Sequence, residues 1–166
     1  NLIYETGKEF NLSLCGMHAL DTMRMETGFL HWGHDISPEE NQYQAGLNFA
    51  ISFKKNISFV GKESLLKVKN KKPTKNLIMT VLKNSTPGEP LLLHDEPIYI
   101  DNEIIGRTTS GNFSFNFNKN LSFGYVNSRF SKEELLKKNL FIEVEKKKYP
   151  ASIILKPLNS KDIRTI

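Results

Sequence analysis

Apolar positions in the first part of the chain recur at helical spacing. Met17, Leu20 and Met23 fall at i, i+3 and i+6 between Gly16 and Glu26, which predicts a helix with one apolar stripe. Gly28 stands where a left-handed C-terminal cap belongs. Ser37-Pro-Glu-Glu40 carries the signature of a helix start: Ser as N-cap, Pro as the first helical residue, and an acid placed to close a capping box. Asn48 to Phe53 reads as a short strand, and Gly61 to Leu66 opens another helix with Leu65 and Leu66 as core positions. The polar run Lys67-Val-Lys-Asn-Lys-Lys-Pro-Thr-Lys75, broken by Pro73, reads as a connector.

Beyond the connector the period changes. Leu77-Ile-Met-Thr-Val-Leu82 reads as the run of a buried strand. Pro87-Gly88 and Glu89-Pro90 mark a turn, and Asp101-Asn102 is a hairpin dipeptide between Ile98–Ile100 and Glu103–Arg107. Leu121–Val126, Leu140–Val144 and Ala151–Leu155 complete a set of short strands, the pattern of a small antiparallel barrel. Six or seven strands are predicted. The first 66 residues supply helices but no complete core, which suggests the end of one domain, or a short subunit that docks on a partner.

Charge is uneven. Residues 1–60 hold 4 Lys/Arg and 7 Asp/Glu, a net of −3; residues 61–166 hold 19 and 11, a net of +8, giving the total of +5. A basic second half raises nucleic acid as a partner. The Lys residues are scattered and outnumber Arg, which disfavours it. No apolar run approaches the ~20 residues that span a bilayer. The single Cys15 excludes an internal disulfide framework and reads as a buried small hydrophobe. Neither zinc-ligand spacing nor a dinucleotide or phosphate-loop motif is present.

The candidate chemistry lies in the run from Asp21 to Asp35, where Glu26 sits among Met, Leu and Ala. A carboxylate on that background must be solvated, paired or aimed at a ligand; a salt bridge to Arg24 is the simplest alternative. Gly28 allows either a cap or close ligand approach. Phe29, His31 and Trp32 offer an aromatic wall, or core. His34 and Asp35, being adjacent, are expected to point apart.

The segment Cys15-Gly-Met-His-Ala-Leu-Asp-Thr-Met-Arg-Met-Glu-Thr-Gly28 resembles the folate-binding domain of glycine-cleavage T-protein (aminomethyltransferase) relatives. His31-Trp-Gly-His-Asp-Ile36 is similar to the dimethylglycine dehydrogenase and sarcosine dehydrogenase branch. Ala45-Gly-Leu-Asn-Phe-Ala50, Phe59-Val-Gly-Lys-Glu-Ser-Leu65, Ile105-Gly-Arg-Thr-Thr-Ser-Gly111, Phe123-Gly-Tyr-Val126 and Tyr149-Pro-Ala-Ser152 add landmarks in order. The resemblance implies an α+β fold: the C-terminal portion of the T-protein folate-binding domain over residues 1–70, an antiparallel β-barrel over 75–160, and a tail.

Its implied role is the tetrahydrofolate-dependent one-carbon-transfer end of an enzyme whose FAD domain oxidises an N-methyl amine. FAD belongs to a domain outside this chain, and so does the family's catalytic Asp. Neither a catalytic nor a metal-binding residue is assigned, and the isolated chain is expected to be inactive. Glu26 is implied to anchor the pterin, with Thr27, Gly28 and Trp32 beside it. Lys55 stands near an Arg that relatives use for the folate carboxylate tail, and Arg107 in the barrel faces the folate. The implied partners are folate, the N-terminal half of the folate domain and an FAD domain or subunit, with no membrane. The implied location is the bacterial cytoplasm, or the mitochondrial matrix in a eukaryote. An aminomethyltransferase proper, a tRNA-modifying relative and a non-catalytic docking subunit are the alternatives.

Overall fold

The computed structural model describes residues 1–55 and 57–158. Its helices are α1 (Leu2–Gly7), α2 (Met17–Thr27), α3 (Lys62–Lys69) and α4 (Lys132–Leu135). Its strands are β1 (Lys75–Leu82), β2 (Pro97–Ile100), β3 (Glu103–Ser114), β4 (Lys119–Asn127), β5 (Leu140–Val144) and β6 (Lys147–Ile154). The strands close into an antiparallel barrel in the order β1-β4-β3-β2-β5-β6. The α+β architecture with a six-stranded barrel is therefore present; the tail read at 161–166 lies outside the described residues.

Alternation sorts the barrel residues into two cores. Ile78 and Leu82 of β1 point inward with Ile98, Ile100, Val126, Leu140 and Ile142. Leu77, Met79 and Val81 point outward and join Leu121, Phe123 and Tyr125 of β4 against Met25 of α2. This is why the 77–82 run is apolar at every position but Thr80: one face fills the barrel and the other carries a helix. Inside the barrel, Thr80 and Ser122 pair across the strands at 2.6 Å, so neither hydroxyl is orphaned. Gly106 permits the β3–β4 approach, since an added Cβ there would lie 2.0 Å from the Tyr125 carbonyl oxygen.

In the first third, α2 is the helix that packs on the barrel. Gly28 ends α2 in the left-handed conformation (φ 82°), and its N–H donates back to the Arg24 and Met25 carbonyls, as the sequence predicted. The predicted strand at Asn48–Phe53 is instead a 3-10 turn over Asn48–Ala50, closed by local backbone bonds, with no sheet edge for it to join. Ser37 does not start a helix. Its N–H and hydroxyl both donate to Glu40, but Lys75 also takes that carboxylate at 2.5 Å, and Asn41 folds the next residues into turns. The connector is shorter than predicted, because α3 runs on to Lys69.

Burial departs from the sequence pattern in three places. Leu65 is buried, but Leu66 is exposed on the other side of α3. Cys15 is exposed, because the segment before α2 has nothing packed over it among the described residues. The Met17–Leu20–Met23 stripe faces solvent, because α2 turns Met25 and Glu26 to the barrel.

Candidate functional site

The loop after α2 folds back so that Asp35 enters the seam between the helix and the barrel. Its carboxylate is fully buried. One oxygen accepts from the Thr109 hydroxyl of β3 at 2.6 Å. The other accepts from the Arg24 guanidinium at 2.8 Å and from the His31 backbone N–H at 2.8 Å. The Asp35 carbonyl accepts from the Tyr125 hydroxyl at 2.9 Å. Burial, together with the Glu40 and Asp35 charges, pushes the Tyr125 phenol well above its usual range, so it remains a donor.

Arg24 spreads its donors over Asp21 (2.8 Å), Asp35 and the Ser110 hydroxyl (2.9 Å). A guanidinium suits this place because its planar fork reaches several acceptors at once. Arg24 thus pairs with Asp21 and Asp35, and the alternative pairing of Glu26 with Arg24 is not formed. As the sequence predicts, His34 and Asp35 point apart: Asp35 is buried and His34 is exposed.

Glu26 is 2% exposed and turned to the end of β3. It accepts from the Ser114 hydroxyl at 2.5 Å and from the Asn116 amide at 2.8 Å. Nearby, Thr22 donates to the Phe113 carbonyl, and Asn112 donates to the His18 carbonyl. The polar side of α2 is therefore bonded to β3 along most of its length.

The remaining residues expected to bind a ligand lie apart. Thr27 and Gly28 line a largely apolar groove of about 760 Å³ with Phe29, Leu30, Leu77 and Phe123. Trp32 is 65% exposed, in a loop closed by its bridge to Ile36. Lys55 lines a separate cleft with Gln42, Ile51 and Leu65. Arg107 lies at a polar cleft of about 630 Å³ beside Lys75 and Glu40, and pairs at the surface with Asp95 at 3.1 Å. The hydroxyls of Thr108, Thr109 and Ser110 follow Arg107 in the chain. They belong to strand β3, where Thr108 bonds Glu96, Thr109 bonds Asp35 and Ser110 bonds Arg24.

Sequence reasoning missed the Asp35 hub, and also that all four histidines, His18, His31, His34 and His94, line one cleft of about 180 Å³. His31 and His34 stack with centroids 4.6 Å apart. No local signal joins His94 to that loop; strand pairing brings it there. Among the described residues, no group of three or more His, Cys, Asp or Glu side chains is placed to hold a metal ion. Among them, too, no helix is long and apolar enough to cross a membrane.

This arrangement, a closed six-stranded barrel with a helix and loop bonded to its outer face, has counterparts among known proteins. Residues 1–55 match the family model described as GCVT N-terminal domain, and residues 75–159 match the glycine cleavage T-protein C-terminal barrel domain. The chain belongs to the glycine cleavage T-protein family.

Its relatives include 4-methylaminobutanoate oxidase (formaldehyde-forming) of Paenarthrobacter nicotinovorans, 40% identical over 67% of this chain and 13% of that protein. The aminomethyltransferase of Symbiobacterium thermophilum is 34% identical over 75% of this chain and 32% of its own length. The mitochondrial dimethylglycine dehydrogenase of Mus musculus is 31% identical over 94% of this chain and 17% of its own. The chain thus spans less than a third of the length of each of these relatives. The crystal structure of glycine cleavage system aminomethyltransferase T from Bartonella henselae shares the fold. It superposes with a TM-score of 0.81 at 22% identity, over 96% of this chain and 43% of that one.

Proposed function

We propose that this chain is the barrel-bearing part of a tetrahydrofolate-dependent one-carbon-transfer module. In this reading it serves an FAD-dependent oxidation of an N-methyl amine carried out elsewhere in the same assembly. The observation that carries the proposal is the meeting of three separated stretches of family resemblance in one buried network. Arg24 lies in the first, His31 and Asp35 in the second, Thr109 and Ser110 in the third. The dimethylglycine dehydrogenase and 4-methylaminobutanoate oxidase relatives favour the amine-oxidising branch.

The residues present do not by themselves fit a folate. A reduced pterin offers a row of N–H donors that needs a reachable carboxylate. Glu26 is buried, and both its oxygens already accept from barrel groups. Thr27 and Gly28, Trp32, Lys55 and Arg107 open onto different parts of the surface. The contribution of this chain is the rigid seam that sets α2 and its loop against the barrel; the other walls of the site come from polypeptide outside it.

The test is calorimetric titration with 5-formyltetrahydrofolate. The chain alone should give no binding heat. Its purified complex with the rest of a T-protein folate domain should bind stoichiometrically. A verified complex that binds no folate would refute the proposal, and an aminomethyl-lipoyl substrate turned over by that complex would move it to the aminomethyltransferase branch.

A further inference from the structure

Among the described residues, three lysines are partly buried: Lys62, Lys75 and Lys132. Two of them hold an acceptor. Lys62 donates to the Ile57 carbonyl at 3.3 Å, and Lys75 donates to Glu40 at 2.5 Å. The Lys132 amine has neither a hydrogen-bond acceptor nor an ion-pair partner among the described residues. The acids that follow it do not serve: Glu134 accepts from the Ser131 N–H at 2.7 Å, and Glu133 is turned to solvent.

Helix α4 fixes where this amine lies. Ser131 and Glu134 close a capping box at its start, and Leu135 is sunk in the barrel core at 1% exposure. Lys132 precedes Leu135 by three residues and so shares its side of the helix. Its side chain lines the groove of about 760 Å³ whose wall includes Leu30, Met79, Phe123, Ile154 and Pro157. An ammonium there gives up hydration and gains no counter-charge. Burial pushes Lys132 below the usual lysine range, and the charge of Glu133 opposes this only in part. A lysine desolvated in an apolar pocket is the form that attacks carbonyl carbon, because the neutral amine carries the lone pair.

We propose that the Lys132 amine, at the wall of this groove, is a covalent capture site for formaldehyde. The inference rests on the function proposed above. Oxidation of an N-methyl amine leaves a methylene iminium, which water releases as formaldehyde; one relative is a formaldehyde-forming oxidase. The lysine nitrogen forms a bond to the aldehyde carbon, the carbonyl π bond opens, and a proton passes from nitrogen to oxygen. This gives a hydroxymethylamine. Loss of its hydroxyl with the remaining N–H proton, as water, leaves a methylene imine on Lys132. Nothing is oxidised or reduced, and the apolar wall slows the return of water to the imine.

The test is reductive trapping on the full chain. Limiting isotope-labelled formaldehyde and sodium cyanoborohydride convert the imine to an N-methyl group, and peptide mass spectrometry reads the rate at each lysine. At neutral pH, Lys132 should be labelled roughly fivefold or more faster than the exposed Lys83 and Lys119. Near pH ~10, where exposed lysines also lose their proton, that advantage should shrink towards one. Lys132→Arg should remove the fast label and leave the rates at Lys83 and Lys119 unchanged. A Lys132 rate no greater than that of Lys119 would overturn the inference. So would an advantage that persists undiminished near pH ~10, since desolvation of the amine would not then be its cause. The measurement needs neither folate nor oxidase, so it fails independently of the function above. Selective labelling together with a complex that binds no 5-formyltetrahydrofolate would keep the amine site and refute only the folate reading.

Discussion

Replacing Asp35 by Ala removes the acceptor at the centre of the seam. Three donors lose a partner: the Arg24 guanidinium, the His31 N–H and the Thr109 hydroxyl. Breaking a buried ion pair from one side costs about 3–5 kcal/mol, because the surviving charge stays in a poorly solvated place. Arg24 keeps Asp21 and Ser110, and its side chain is 12% exposed, which places the loss near the lower end, about 3 kcal/mol.

For a chain of this length each kcal/mol moves the melting temperature by about 2–4 °C, so Asp35→Ala should melt roughly 6–12 °C below the wild type. Urea unfolding followed by far-ultraviolet circular dichroism gives the free energy directly. A double-mutant cycle with Arg24→Met isolates the pair. Because Asp35→Ala strands the guanidinium, the double variant should be more stable than the sum of the two single losses by about 1–3 kcal/mol. An Asp35→Ala chain within about 1 kcal/mol of the wild type, or a cycle with no coupling, would refute the buried-pair account.

Two further outcomes follow from the side chains around the seam. Glu26→Ala should cost about 2–4 kcal/mol by leaving the Ser114 hydroxyl and Asn116 amide without an acceptor, and Glu26→Gln less, since one oxygen survives; an unchanged melting temperature with lost folate uptake in the complete assembly would instead mark Glu26 as a ligand anchor. At Glu40, burial pushes the carboxyl up, but the Lys75 and Ser37 contacts outweigh it and hold the group below its usual value near 4.5. Its contribution to stability is therefore complete above that value and lost as pH falls through the lower folded value. Acid denaturation curves should show this part of the loss disappearing in Glu40→Gln, and an unaltered acid limb would contradict the pairing.

Local pattern was a good guide wherever one element decides its own form. The barrel strands, the Asp101-Asn102 hairpin and the Gly28 cap all follow from alternation and turn chemistry. Its limits are physical. The spacing of Met17, Leu20 and Met23 identifies a helix, but not which side meets the barrel; that was settled by Met25 and by the hydroxyls and amides at the end of β3. The Ser37-to-Glu40 signature formed its side-chain bonds without a helix: Asn41 folds the next residues into turns, and Lys75, far along the chain, holds the other oxygen of the Glu40 carboxylate. The hub at Asp35 joins residues from α2, its following loop and β3 through a charge pair with no spacing rule. Resemblance named segments that meet there and left open which side chain in them meets which.

The outward faces of β1 and β4 have a consequence for how the chain behaves as a material object. Leu77, Met79, Val81 and Phe123 are covered by α2 and the segments near it, not by the barrel. Family matches end at residue 55 and begin again at residue 75, but the apolar contact of Met25 with β1 and β4 crosses that division, so the two pieces should share one melting event. A protease cut in the connector between α3 and β1 should release neither half while the fold persists. A gene trimmed to the barrel alone would express a protein with a greasy flank, prone to precipitate. On this packing the evolutionary unit and the cooperative unit should differ, and a recombination that moves this barrel should need to carry α2 with it.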